Sequence, residues 1–145
     1  MSDKISFSCN IEPSLPEKPL GFEIWLDGQC MVNIDAVTES QLLSFEFEET
    51  SNEHVIEFVL KNKTSLHTVI DQNNNIVEDS LILVQNIALD GIELTNIVQN
   101  IISYTHDFNG TGASTTDTFY GTMGCNGRAV FKFNDPVYLW LLENL

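Results

Sequence analysis

Apolar and polar residues alternate with a period of two over much of the chain. That spacing sets one face of a strand on a core and the other in solvent. In "ISFSCNI", Ile5, Phe7, Cys9 and Ile11 share one face, while Ser6, Ser8 and Asn10 take the other. Pro13, Pro16 and Pro19 follow and predict a loop, since proline donates nothing to a ladder. "GFEIWLDGQCMVNI" then sets Phe22, Ile24 and Leu26 against Glu23 and Trp25 before reaching Asp27-Gly28. Asp-Gly between alternating runs predicts a tight hairpin, because glycine takes positive φ at no steric cost.

"LLSFEFEE" (42–49) points Phe45 and Phe47 inward, with Glu46 and Glu48 outward. "HVIEFVLKNK" (54–63) is more continuously apolar, as expected of a central strand covered on both faces. "DQNNN" (71–75) is turn chemistry. Strict alternation through "VEDSLILVQNIALDG" nominates Val77, Leu81, Leu83, Ile87 and Leu89 for the core, and a second Asp-Gly closes that run at 90–91. The stretch 92–98 reads as a strand, although 92–102 also carries helix-compatible spacing. "TFYGTM", "AVFKF" and "VYLWLL" complete a set of about nine short strands, with no long amphipathic helix. The expected fold class is all-β: a single antiparallel β-sandwich domain over 1–145, of jelly-roll type.

The last run departs from alternation. Read as a strand, 137–142 presents Val137, Leu139 and Leu141 on one face and Tyr138, Trp140 and Leu142 on the other. Such a segment must be covered twice, by its own domain or by another chain. Tyr138, Trp140 and Leu142 are therefore candidates for partner docking or self-association through 137–145.

Composition adds an extreme charge. Twenty-one acidic residues stand against six basic ones, a formal net charge of -15. Such a surface repels phosphate backbones and anionic headgroups, so neither nucleic acid nor membrane is an expected partner. The three cysteines contain no CxxC pair, and Cys9 and Cys30 fall on alternating segments as small hydrophobes. The opening "MSDKISFSCN" has no apolar stretch of signal-peptide length, so synthesis in a host cytoplasm is expected.

Candidate chemistry is sparse. "GxSxG", "HExxH" and phosphate-binding glycine loops do not occur, and His106-Asp107 are neighbours whose side chains would leave a strand in opposite directions. No enzyme is expected. Asp71, Asn73 and Asn75 match the first three ligand positions of an EF-hand, but Ile76 replaces its glycine and Ile82 its final glutamate. A looser calcium loop would use Asp71, Asn73, Glu78 and Asp79; a solvated hairpin turn is the simpler reading. Among the aromatic residues Trp25 is the best candidate for stacking on a sugar, since Ile24 and Leu26 beside it point inward.

Two resemblances extend this reading. "EIWLDG", "EHVIEFVLKNK" and "DSLILVQNIALDG" resemble the calcium-dependent xylan-binding type of carbohydrate-binding module, a jelly-roll β-sandwich. The resemblance implies an acidic residue, here Asp79, opening the last segment and Gly91 closing it, with Trp25, Asp79 and Asp90 as candidate ligand-binding residues. Ser80-Leu81 stand where that family usually has Arg-Asn, and Gln85 where it usually has Asp, so the resemblance implies the sandwich more than its calcium and sugar chemistry.

"FVLKNK", "NIVEDS", "YTHDFNG", "GTMGCNG" and "YLWLLEN" resemble small proteins encoded by contractile-tailed phages of marine cyanobacteria. This second resemblance implies a virion protein. The expectation that follows is a non-enzymatic phage structural or interaction module in capsid, tail or fibre, contacting other virion proteins. The alternative is a carbohydrate-binding module that recognises host polysaccharide, with calcium as its cofactor.

Overall fold

A computed structural model describes residues 4–50 and 52–145. Two antiparallel sheets enclose one continuous apolar core. The first sheet runs in the order β12 (Thr122–Met123), β8 (Ile82–Leu89), β1 (Lys4–Pro13), β4 (Gln41–Glu48), with β9 (Ile92–Glu93) also paired to β8. The second has six strands: β11 (Thr115–Thr118), β10 (Ile102–His106), β13 (Gly127–Asn134), β5 (Glu53–Lys61), β2 (Gly21–Leu26), β3 (Gln29–Ile34). A separate hairpin pairs β6 (Thr68–Ile70) with β7 (Ile76–Asp79), entered through a 3-10 turn at Ser65–His67. The expected all-β sandwich of jelly-roll type is what the chain forms.

The alternation of each strand supplies the core. Ile5, Phe7, Cys9 and Ile11 of β1 face Phe22, Ile24 and Leu26 of β2 and Ile56, Phe58 and Leu60 of β5, all buried. Phe7 meets Phe58 across the layers, centroids 6.0 Å apart, and Phe22 lies beside Phe58 within the second sheet at 6.1 Å. Burial pushes the Cys9 thiol up to about 12, consistent with a small core hydrophobe. Both Asp-Gly pairs make tight hairpins with consecutive positive φ, 49° and 83° at 27–28 and 51° and 80° at 90–91.

Four expectations need correction. In β8 the buried residues are Ile82 and Val84 and then Ile87, Ala88 and Leu89, whereas Leu81, just before the strand, and Leu83 are only partly covered. A bulge explains the change of parity: Asn86 has φ 54°, and the β1–β8 register shifts between Ser8 and Asn10. Val77, on the outlying hairpin, is 61% exposed. Cys30 is exposed, paired across from Trp25 beside a second bulge. The strand expected at 92–98 shrinks to Ile92–Glu93, and Val98–Ile101 form a single helical turn.

The fourth correction concerns the C-terminus. Residues Val137–Asn144 form a helix, α2, not a strand. Val137, Trp140 and Leu141 are its buried residues, spaced i, i+3 and i+4 as one helical stripe. Leucine-rich sequence free of glycine favours that choice, and Pro136 at the N-cap costs no helical hydrogen bond. One apolar stripe is covered by the molecule itself: Trp140 packs on Phe131 and Phe133, centroids 5.6 and 6.1 Å away.

Candidate functional site

The outer face of the six-stranded sheet is built by the residues that alternate with the core. β2 contributes Glu23 and Trp25, β5 contributes Glu53, Val55, Glu57, Val59 and Lys61, and β13 contributes Arg128, Val130 and Lys132. Register places Trp25 opposite Glu57, Glu57 opposite Val130, and Val59 opposite Arg128. Ser103 and Thr105 of β10 and Thr116 and Thr118 of β11 extend the face with hydroxyls. Two ion pairs thus form on this face, Lys61 with Glu23 and Arg128 with Glu57, and Asp35 lies 3.4 Å from the same Lys61 ammonium, in a molecule whose net charge is -15.

Polar contacts fix the geometry around the indole. Trp25 Nε1 donates to Glu23 Oε1 at 2.7 Å, and Lys61 Nζ donates to Glu23 Oε2 at 2.8 Å and to Asn33 Oδ1 at 2.6 Å. The hydrogen bonds from Lys61 and Trp25 hold Glu23 below the usual glutamate range. Arg128 pairs with Glu57 one strand further on. Half-buried valines, hydroxyl columns and one oriented indole make a face that can stack an apolar sugar surface and exchange hydrogen bonds with hydroxyls.

The residues expected to hold calcium have other duties. Asp71 makes an Asx-turn, its Oδ1 accepting from the Asn73 N–H at 2.8 Å and the Asn75 N–H at 3.0 Å. Those backbone donors, Asn75 first, hold the Asp71 carboxyl below its ordinary value. The segment is the simpler hairpin turn. Glu78 is exposed on β7. Asp79 points to the buried side chain of Lys63: Nζ donates to Asp79 Oδ1 at 2.7 Å and to the Gly124 carbonyl at 2.6 Å. Thr68 Oγ1 also donates to Asp79 Oδ1, at 2.7 Å. Among the described residues no three histidine, cysteine, aspartate or glutamate side chains converge as a metal cage. Asp71 and Asp79 thus each engage Oδ1 with donors of the protein itself.

Asp90 also serves the scaffold. Its N–H donates to the Ser6 carbonyl at 2.7 Å, and its Oδ2 accepts from the Tyr138 hydroxyl. Two candidates from different predicted sites, Asp90 and Tyr138, thus meet and tie α2 to the β8–β9 turn. Trp140 does not join them as a docking residue, being 8% exposed in the core. Leu142 stays outward at 81%, and Leu139 and Leu145 are exposed beside it. Tyr104 is likewise buried, its hydroxyl accepting from the Cys125 N–H at 3.0 Å, while Tyr120 is exposed. The aromatic residues do not assemble into one platform; Trp25 alone sits on the sheet face.

Sequence reasoning missed one constellation. His54 is buried, and its Nδ1 and Nε2 lie 2.7 Å from Asp27 Oδ2 and 2.7 Å from Asp135 Oδ2. A carboxylate beside each nitrogen favours a proton on both, which is the imidazolium form. Burial opposes its charge, but the hydrogen bonds that Asp27 and Asp135 accept outweigh it and raise the pKa above the usual histidine value. Asp135 Oδ1 is buried without a hydrogen-bond partner. The only sequence signal was His54 at the inward parity of β5, where the neighbouring positions are apolar.

No protein-family model and no curated protein matches the chain. Two solved structures do. One is vCBM60 in its selenomethionine form, described under a circular permutation linking two families of calcium-dependent carbohydrate-binding modules. It shares 13% identity over 88% of this chain and 89% of that chain, with a TM-score of 0.56. The other, vCBM60 in complex with galactobiose, shares 12% identity over 87% of this chain and 96% of that one, with a TM-score of 0.51. The chain has the β-sandwich fold of these carbohydrate-binding modules.

Proposed function

We propose that the protein is a non-catalytic carbohydrate-binding module that lays a neutral polysaccharide across the outer face of its six-stranded sheet. The observation carrying this reading is the charge balance of that face around Trp25. Glu23 and Glu57 offset Lys61 and Arg128 beside the indole, so an uncharged polymer meets hydroxyls, amides and an aromatic ring there without paying for unbalanced charge. Uronic or sulfated chains face the acid excess of the surrounding molecule instead. The two solved neighbours support the reading by fold, and the first is described among calcium-dependent carbohydrate-binding modules.

The test is affinity electrophoresis and a glycan array with the folded protein. Neutral glucans, xylans or galactans should retard it, and Trp25→Ala should weaken binding by about tenfold or more with an unchanged melting temperature, as loss of a stacked ring costs roughly 1 kcal/mol or more. A folded protein that binds none of them sinks the proposal.

A second reading rests on α2. Leu139, Leu142 and Leu145 leave an apolar stripe in water beside the covered one. It suits docking to another protein, and a virion component is the setting implied by the sequence resemblance. A net charge of -15 disfavours a second copy and favours a basic partner surface. Leu139→Ser combined with Leu142→Ser should abolish copurification with virus particles while the protein stays folded; retention of the double variant would remove this reading. Truncating 137–145 is a poorer test, because it also deletes Trp140 from the core.

A further inference from the structure

The geometry points to Lys63 as a built-in cation, whose ammonium fills the position that a metal ion would take between the β6–β7 hairpin and the loop before β13. Its surroundings are those of a hard-cation site. A carboxylate oxygen, Asp79 Oδ1, and a main-chain carbonyl, Gly124 O, converge on Nζ at 2.7 and 2.6 Å. Oxygen donors of these two kinds are what calcium selects. The site is enclosed: the Lys63 residue is 6% exposed and its side chain 2%.

The chain is shaped to deliver that side chain. Asn62, at φ 70°, turns the backbone out of β5, and the amide of Asn126 then grips both sides of Lys63. Lys63 N–H donates to Asn126 Oδ1 at 2.9 Å, and Asn126 Nδ2 donates to the Lys63 carbonyl at 2.9 Å. Asp79 is held from its other side by Thr68 Oγ1, and its carbonyl accepts from Ser14 Oγ at 2.9 Å. Three separate segments therefore meet at one ammonium, the end of β5, the β6–β7 hairpin and the loop at 124–126, and Ser14 just after β1 braces the backbone of Asp79.

A two-stranded hairpin is only marginally stable by itself. Lys63, with the Ser80 Oγ to Lys18 carbonyl bond at 2.6 Å, anchors this one to the sandwich. A lysine is permanent where a metal is exchangeable. At this end of the fold the cation is covalently part of the chain. This end of the fold thus needs no divalent ion, a conclusion independent of which glycan, if any, the sheet face binds.

The test reads stability and metal binding. Wild-type protein stripped with EDTA and titrated with calcium should keep one melting temperature throughout; a fall in EDTA restored by calcium would overturn the proposal. Lys63→Met, which keeps the bulk and removes the charge, should lower the melting temperature by on the order of 10 °C, because it strands a part-buried carboxylate. Wild-type stability in that variant would also overturn it. Lys63→Glu places a second carboxylate at the site and should make melting calcium-dependent, with sensitised terbium luminescence that wild-type protein lacks. A folded Lys63→Glu indifferent to both ions would show that the position is no cation site. Should either variant fail to fold, the wild-type titration still decides.

Discussion

At the scale of single residues, buried charge is where this chain spends most of its precision. His54 lies among Phe47 and Phe133, ring centroids 5.2 and 5.3 Å away, yet carries a proton on each nitrogen for Asp27 and Asp135. It joins three connections: the β2–β3 turn through Asp27, the segment before β5 through Thr50 on Asp135 Oδ2, and the start of α2 through Asp135 itself. The native pKa is raised above the unfolded value of about 6.5. The native state therefore holds the proton more tightly, and that contribution is complete below about pH 6.5 and fades as pH rises through the raised native value. Urea unfolding between about pH 6 and 9 should show stability falling on the alkaline side, with His54→Gln less stable at pH 6 and flat across the range. A wild-type profile that is level through this window would refute the imidazolium. Glu23 and Asp71, held low by their partners, act in a separate window: their contribution is lost only as pH falls through their depressed values.

Among the elements, the strands were legible in the sequence because period two is a local property, and the failures mark places where the backbone breaks that period. Both Asp-Gly hairpins, the inward faces of β1, β2 and β5, and the Asp71–Asn75 turn follow from neighbouring residues alone. The core of β8 does not. One residue in left-handed conformation, Asn86, reverses the parity, and nothing in "LILVQNIAL" distinguishes that bulge from plain alternation. The C-terminus failed for the converse reason. Val137, Trp140 and Leu141 fit a helical stripe as well as a strand, and the exposed Leu139 and Leu142 hid its polar face. The site was less legible than the fold. Trp25 was found by its outward parity, but its hydrogen bond to Glu23 and the charge ladder around it depend on register across β2, β5 and β13. Lys63 and His54 were invisible for the same reason: partners at positions 79 and 124, or 27 and 135, meet only after folding.

For the whole molecule, the distribution of charge matters more than its total. Lys61, Arg128 and Lys132 stand on one sheet face and Lys63 is buried, so little basic charge is left to offset the carboxylates elsewhere. Repulsion among those carboxylates acts through solvent and is screened as the Debye length falls from about 30 Å at 0.01 M salt to about 3 Å at 1 M. The enclosed contacts at Lys63 and His54 are screened far less, being out of water. Added sodium chloride therefore removes a destabilising effect and leaves the stabilising ones nearly intact, and the melting temperature should rise by a few degrees over that range. Binding of a neutral polysaccharide to the balanced sheet face should change little over the same range, since no counterions are displaced when an uncharged chain docks. The two titrations separate the effects: a melting temperature that falls with salt would mean that exposed ion pairs dominate stability, and an affinity that collapses with salt would mean that the ligand is charged.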